Sequence, residues 1–353
     1  MRNANSSFIK KFAKNYLNYA LIFLALVLFT VLSLTGAAKL STLLLLEKIA
    51  ISVILAVSLC MVVGFLGELS LGHAGFMCAG AFLGGKISAL LVPALGNSFL
   101  TLLISMLAGG LVAALFGIII GLPALRLRGD YLAIVTLAFG EIIRSLVMNS
   151  PAAWFGGTLG LETPNFNNPK YLFIVGFLMV LACLAVTQNL IRSKHGRAIA
   201  SIRDNEIAAR ASGVDVTKYK LFVFTVSAFF AGVAGVLYSY TQSRVQSVNF
   251  DYNYSIEILV MVVLGGLGNI NGSIIAAVLV TFLDVELQTR LPGDLAVLQD
   301  LFYALILIII VIYKNAPGLK SFRERYNLKV LLMKAKKGRS KNASEGKEDV
   351  SHG

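Results

Sequence analysis

Two charged residues inside an apolar stretch of the chain could act on a polar solute. Glu141 and Arg144 are three residues apart, so a helix places them on one face, where they can form an ion pair. Glu141 lies about ten residues into the apolar stretch 131 to 149, which at 1.5 Å per residue is near the middle of a bilayer. A carboxylate at that depth is expensive unless it faces a cavity or a partner. Two interpretations stay open: a pair that only orients helices, or a role in the path of a transported solute.

Two glycine-rich segments, 64 to 75 and 265 to 272, interrupt apolar stretches and could bind a charged solute through backbone groups. A broken helix exposes N–H groups at one half and carbonyls at the other, which suit a carboxylate and an ammonium group. In the first break, Ser70 could cap a half-helix that starts near Gly72, with His73 in its first turn. The alternatives are that His73 only makes a structural hydrogen bond and that the glycines only allow helices to pack closely. The predicted substrate-path residues are Glu68, Ser70, Gly72, His73, Glu141, Arg144, Gly265, Gly266 and Gly268.

The polar loop of residues 192 to 218, between two apolar stretches, is the third candidate. A glycine near each end bounds a segment rich in Ala, Ile, Arg and Glu, which suits a short helix. Ile199, Ile202 and Glu206 fall on one side of that helix, which could then enter a groove on a cytosolic partner. A solvated connector is the alternative. The residues predicted to couple to that partner are Gly196, Arg197, Ile202, Arg203, Asn205, Glu206, Arg210 and Gly213.

These candidate residues lie on or between predicted membrane spans. Residues of the AVILMFWYC set make up 57% of the 353 positions and charged residues only 14%, against about 25% charged in soluble domains. We therefore predict an all-α polytopic membrane protein with about ten transmembrane helices, or eight to ten if the glycine breaks are re-entrant. Comparable breaks in the two halves hint at an inverted repeat with discontinuous helices. The apolar stretches lie near 17–35, 43–66, 72–92, 99–121, 131–149, 171–191, 219–241, 255–266, 273–287 and 297–313.

The net charge of +13 is concentrated in a few polar segments. Residues 1–14, 126–130, 192–220 and 314–353 together carry +16, and the rest of the chain carries −3. Basic residues confined to short loops follow the positive-inside rule, which predicts that both termini and the loop 192–218 are cytoplasmic. The basic start and the apolar run after it imitate a signal peptide, but we interpret them as a first span. Nucleic-acid binding is disfavoured because the basic segments flank apolar spans.

Enzyme motifs are missing from the sequence. The segment from Gly80 to Lys86 resembles a phosphate loop, but Ile87 stands where Ser or Thr would hold the metal. No HExxH or GxSxG motif occurs, so we expect no catalytic residue, no metal and no cofactor in this chain. Any hydrolysis of Mg-ATP would have to come from a partner subunit. Cys60, Cys78 and Cys183 lie in apolar runs and are interpreted as packing residues.

Four motifs together resemble the LivM-type permeases of branched-chain amino acid ABC importers. They are residues 70–76, 121–144, 196–213 and 263–268, and they occur in the family's order. The resemblance covers roughly 43–313, which we take as the permease domain; it excludes the basic segment and first span, 1–42, and the basic tail, 314–353. It implies a second, LivH-like permease, two cytosolic ATPases, an extracytoplasmic binding protein and a bacterial inner membrane.

The function that the resemblance implies is ATP-driven import of leucine, isoleucine and valine by alternating access. Urea, short amides and sugars are alternative substrates within the same importer class. A secondary transporter coupled to an ion through Glu68, Glu141 or Glu257 is a second alternative. A channel or a structural membrane protein would leave the loop 192–220 without a role.

Overall fold

The computed structural model describes residues 22–28, 30, 39–127, 129–163 and 172–290, with five further positions between 301 and 312. The contacts divide the chain into two units, Met1–Glu286 and Leu287–Gly353. A π-helical turn, Met61–Leu66, continues the helix Leu40–Cys60. The elements are α1 Leu40–Cys60, α2 His73–Leu95, α3 Phe99–Ala124, α4 Asp130–Met148, α5 Ala152–Phe155, β1 Leu161–Glu162, α6 Leu172–Arg192, α7 Lys194–Asp204, α8 Glu206–Ala211, α9 Val216–Thr241, β2 Arg244–Val245, α10 Tyr252–Gly265 and α11 Ile270–Arg290.

Seven helices in the described part of the chain are long and apolar enough to cross a membrane. They are α1 with its π-turn, α2, α3, α4, α6, α9 and α11, while α10 is apolar but shorter. They coincide with seven of the eight spans predicted between residues 43 and 287, and the eighth, 255–266, corresponds to α10. The prediction of a helical, multi-pass membrane protein is confirmed. The predicted outer spans, 17–35 and 297–313, lie mostly outside the described residues. The count of ten and the inverted repeat therefore stay predictions.

Glycines hold the centre of the bundle together. Helix α9 packs against α3 and α2 most extensively, and then against α1. A Cβ atom on Gly80 of α2 would lie 2.2 Å from the carbonyl oxygen of Gly232 on α9, and one on Gly235 would lie 2.1 Å from that of Met77. The backbones of α2 and α9 are thus in direct contact, as small residues allow in membrane helices.

Helix α4 is the least buried of the seven spans. Less than a third of the residues in its most apolar segment are buried, against nearly nine-tenths in α1 with its π-turn. Large apolar side chains on its outer side are exposed, among them Tyr131, Ile134, Ile142 and Leu146. This face of α4 therefore needs lipid or another subunit to cover it.

A small ladder closes the end of the bundle where α9 finishes. Strands β1 and β2 pair antiparallel, with Leu161 opposite Val245 and Glu162 opposite Arg244. The Thr163 hydroxyl is 2.8 Å from the carbonyl oxygens of Ser239 and of Gln242, close to the end of α9. The segment after α4 is fixed to α9 by these contacts.

Candidate functional site

The loop between α6 and α9 contains two helices, where the sequence predicted one. Asn205 has an extended backbone between α7 and α8, and its side chain accepts a hydrogen bond from the Ala208 amide at 3.0 Å. Ser193 caps α7 in the same way, by accepting from the His195 amide. The prediction of a single helix was wrong because Asn205 starts a new helix, as its preference for the N-cap position allows. We call α7 and α8 together the coupling loop.

The two glycines of the coupling loop have different roles. Gly213 follows the end of α8 with φ +84°, and the Val214 amide donates to the Ala209 carbonyl at 3.1 Å, so the predicted C-terminal glycine is confirmed. Gly196 was expected before the helix but lies inside α7. A Cβ atom there would be 2.0 Å from the Ile191 carbonyl oxygen, so this position needs glycine for a close approach to the end of α6.

The apolar face of α7 is turned towards the membrane helices of its own chain. Ile199 and Ile202 are buried, and Ile199 and Arg197 line a cavity of about 250 Å³ that also touches Met61. The prediction that this face enters a groove on a partner is therefore wrong, because the chain itself covers it. On α8, by contrast, Ile207 is 73% exposed. The sequence did not identify Ile207 as exposed. In a single helix that continues through Asn205, the Ile207 side chain would point in a different direction from the one it has in α8.

A buried ion cluster connects the coupling loop to the membrane spans. The ammonium group of Lys220, at the start of α9, forms ion pairs with Glu68 and, at 3.2 Å, with the Glu206 Oε2 atom. The Lys220 side chain is only 3% exposed. The pair with Lys220 joins Glu206 of α8 to α9. Arg210 Nη2, also in α8, donates to Glu206 Oε1 at 2.9 Å. Glu68, predicted to face the substrate gap, is instead paired beside the coupling loop, and Lys220 was missed because its partner is distant in sequence.

Arg203 connects the coupling loop to the glycine breaks. Its Nη1 atom donates to the Gly64 carbonyl at 3.3 Å, and a Cβ atom on Gly67 would lie 2.8 Å from Arg203 Cγ. A Cβ atom on Gly64 would lie 2.4 Å from the Gly268 amide nitrogen. The two glycine breaks, which are about 200 residues apart in the sequence, therefore contact each other, and Arg203 lies beside both.

The second break is a tight connection between α10 and α11. Gly266 and Gly268 have φ values of +99° and +74°, which other residues rarely adopt. A Cβ atom on Gly265 would lie 2.3 Å from the Ser273 amide nitrogen. These close approaches favour the helix-packing interpretation for this segment.

The first break leads into α2, which begins at His73 as predicted. The Ala74 amide donates to the Ser255 hydroxyl of α10 at 3.0 Å, so a neighbouring helix satisfies part of this helix N-terminus. His73 is buried, and its Nε2 atom is 2.8 Å from the Ser58 hydroxyl. This contact favours the structural interpretation of His73.

Ser70 does not cap α2, contrary to the prediction. Gly72 occupies the N-cap position, where a Cβ atom would lie 2.5 Å from the Thr136 carbonyl oxygen. The Leu71 amide donates to the Thr136 hydroxyl at 3.0 Å, so α4 holds the entry to α2. The Ser70 hydroxyl is buried and has no hydrogen-bond partner among the described residues.

The ion pair predicted on α4 is confirmed. Arg144 Nε donates to Glu141 Oε2 at 2.7 Å, and each side chain is about a quarter exposed. Glu141 lines a shallow surface pocket with Ile142, Ser145 and Leu146. The pair lies on the least buried span, so it faces whatever covers α4.

Ionisable side chains near the coupling loop and within the spans include an exposed ion pair and three buried thiols. In the described ranges, no group of three or more His, Cys, Asp and Glu side chains could hold a metal ion. The Lys218 ammonium, hydrogen-bonded to Asp215 before α9, holds the pKa of that carboxyl below its usual value. Cys60, Cys78 and Cys183 are buried thiols. The contacts of the coupling loop with α1, α9 and both breaks can transmit a displacement.

Comparisons with known proteins agree with the sequence motifs. Residues 41–312 match the family described as "Branched-chain amino acid transport system / permease component". The chain is 36% identical over 309 residues to the high-affinity branched-chain amino acid permease protein LivM of Salmonella typhimurium, and 34% identical to that of Escherichia coli; each alignment covers 79% of this chain and 70% of the relative. The ribose import permease RbsC of Escherichia coli is 26% identical over 76% of this chain and 84% of its own. No solved structure matches the chain.

Proposed function

Because this chain belongs to the permease family of branched-chain amino acid transport systems, we propose that it is a transmembrane subunit of an ATP-driven importer of leucine, isoleucine and valine. The relatives named LivM support this substrate class, since their sequence identity to this chain is higher than that of the ribose permease. A sugar is the second candidate, supported by the match to the ribose permease. Urea and short amides are further alternatives. In each case the chain forms the path, and partner subunits hydrolyse the ATP.

The buried Lys220 cluster is the observation that supports ATP coupling most directly. An ATPase that moves α8 also moves Glu206, and Glu206 shares the Lys220 ammonium with Glu68 at the end of the α1 span. Arg203 carries the same displacement to the two glycine breaks. The exposed Ile207 is the apolar anchor that we assign to the ATPase contact.

The proposed assembly has this permease beside a second, LivH-like permease, two cytosolic ATPases and an extracytoplasmic binding protein. The coupling loop and both termini are assigned to the cytoplasm, following the positive charges, and the membrane is the bacterial inner membrane. The exposed face of α4 is assigned to the second permease. The Glu141–Arg144 pair then faces the path between the two subunits, where a charged pair within the membrane is expected to contact solute or cavity water.

The test of the proposed function uses the complex reconstituted in proteoliposomes. ATP hydrolysis is measured with the binding protein loaded in turn with leucine, urea or ribose. We expect leucine to stimulate hydrolysis and to be taken up, and the other two to do neither. Stimulation by ribose alone would replace the amino-acid proposal by the sugar proposal.

Co-purification separates the importer from an ion-coupled transporter. Protein tagged at the C-terminus and extracted in mild detergent is expected to bring down two copies of an ATPase. Leucine uptake driven by an ion gradient, in a preparation that contains no ATPase, would contradict the importer proposal.

A further inference from the structure

A polar cavity lies within the bundle, away from the coupling loop and the glycine breaks, and of the candidate residues discussed so far it includes Glu257. Its volume is about 110 Å³, several times the 10 to 15 Å³ that a single buried water needs. Four membrane helices contribute to it. The polar lining comprises Lys48 and Ser52 of α1, Tyr238 of α9, Tyr254 and Glu257 of α10, and Thr281 and Asp284 of α11.

The cavity lies near the end of the bundle opposite the coupling loop. Tyr238 and Lys220 are 18 residues apart on α9, which is about 27 Å along a helix and close to the thickness of the hydrocarbon core. Tyr254 is near the start of α10 and Asp284 near the end of α11, whereas Gly265 and Gly268 are at the other ends of these helices. In the proposed orientation this is the extracytoplasmic side, where the binding protein releases solute.

The charges around the cavity are unusual for membrane spans. Lys48 contributes one ammonium, and Glu257 and Asp284 contribute two carboxylates. Ionised groups within spans are rare and mark the paths of solutes or ions. A solute with both an ammonium and a carboxylate group complements this set, since each of its ends finds a side chain of opposite charge.

A second observation points to a ligand. Thr281 is 5% exposed, lines the cavity, and its hydroxyl has no hydrogen-bond partner among the described residues. A buried hydroxyl without a partner is destabilising. A ligand oxygen or nitrogen in the cavity would satisfy it.

We propose that this cavity binds the ammonium and carboxylate groups of a free α-amino acid. Lys48 and the Thr281 hydroxyl bind the carboxylate, and Glu257 and Asp284 bind the ammonium group. The volume fits the charged end of the amino acid, and the branched side chain lies beside Ile51 and the tyrosine rings. The assignment rests on the proposed function, and it adds a site in the permease itself that selects for amino acids.

The test measures direct binding of radiolabelled leucine to the purified complex of permeases and ATPases, without binding protein and without ATP. We expect leucine to bind, and leucinol and 4-methylpentanoate, which lack the carboxylate and the ammonium group respectively, to compete at least tenfold more weakly. Lys48→Met is expected to remove the preference for leucine over leucinol. Thr281→Val is expected to weaken leucine binding about three- to tenfold, as for loss of one hydrogen bond.

Thr225→Val is the matched control. The Thr225 hydroxyl is 2.8 Å from the Leu221 carbonyl within α9 and does not line the cavity, so leucine binding is expected to be unchanged. Equal leucine affinity in wild type, Lys48→Met and Thr281→Val would overturn the site. Displacement of leucine by sodium chloride as readily as by leucine would also overturn it, and would indicate a cation site.

Leucine uptake with the binding protein is measured on the same preparation. Uptake without direct leucine binding defeats the cavity assignment and leaves the proposed function intact. Absence of uptake for leucine, isoleucine and valine defeats the proposed function itself.

Discussion

Lys220 and Glu68 are 152 residues apart in the chain and form an ion pair beside the coupling loop. The pair joins the start of α9 to the segment that follows the α1 span. Glu206 adds a second carboxylate from α8, so one buried ammonium connects three segments. Ions taken out of water are stable only when paired, and removal of one partner leaves an uncompensated charge.

Replacing Lys220 by Met is expected to destabilise the protein strongly. The carboxylates of Glu68 and Glu206 would lose their shared cation, which for buried pairs lowers the free energy of unfolding by about 3–5 kcal/mol. Thermal unfolding in detergent measures the effect. Lys218→Met is the control, because its partner Asp215 is exposed and such pairs contribute about 0–1 kcal/mol. Equal melting temperatures for the two variants would refute the role given to the cluster.

Glu206→Ala is expected to leave the protein assembled but to uncouple ATP hydrolysis from uptake. The variant keeps the Lys220–Glu68 pair and loses the connection from α8 to α9. The measurement is the number of ATP molecules hydrolysed per leucine imported, which we expect to rise several-fold. Glu162→Ala, which removes an exposed pair with Arg244 away from the coupling loop, serves as control. An unchanged ratio in Glu206→Ala would contradict the coupling proposal.

Gly213→Leu is expected to damage the coupling loop through its backbone. A Cβ atom at this position meets nothing within 4 Å, so the penalty comes from the φ of +84° alone and amounts to about 1–2 kcal/mol. Gly213→Asn should be better tolerated, since Asn adopts this conformation more readily. We measure uptake and the protease sensitivity of the loop. Uptake is expected to decrease, and protease sensitivity to increase, in the order glycine, asparagine, leucine at this position. Loss of uptake that is equal in both variants would contradict the backbone explanation.

Gly75 and Gly140 face each other across α2 and α4, and they should respond differently to alanine. A Cβ atom on Gly75 would lie 2.5 Å from Gly140 Cα, whereas one on Gly140 has its nearest neighbour at an ordinary 3.6 Å. Gly75→Ala is therefore expected to lower the yield and melting temperature of the folded protein, and Gly140→Ala to leave both near wild type. The reverse order would show that the two helices pack differently.

Glu141→Gln is expected to impair uptake more than assembly. The substitution keeps the size of the side chain and removes the charge that pairs with Arg144. We expect normal co-purification of the partner subunits and at least a fivefold lower maximal uptake rate. Glu162→Gln, at the exposed pair with Arg244, is the control for loss of one carboxylate. Unchanged uptake by Glu141→Gln would leave the pair with the role of orienting helices.

The features that sequence reasoning could predict are local ones. The spans follow from runs of apolar residues, and the Glu141–Arg144 pair follows from a spacing of three residues. The contacts of Glu68 and His73 depend on partners in other helices, and no periodicity within one segment reveals them. The break at Asn205 had a local signal, its N-cap preference, but a continuous helix also suited the flanking residues.

The glycine contacts at the centre of the bundle constrain how the protein can change shape. The side chain of Val236 on α9 occupies the space that Gly84 and Gly109 leave open, since a Cβ atom on either glycine would lie 2.4 Å from its Cγ2 atom. Sliding one helix past another would drive bulkier residues into this contact. Helices α2, α3 and α9 are therefore expected to move as one rigid unit. The outer helices would tilt around this unit, whose geometry stays the same whether the path is open to the cytoplasm or to the outside.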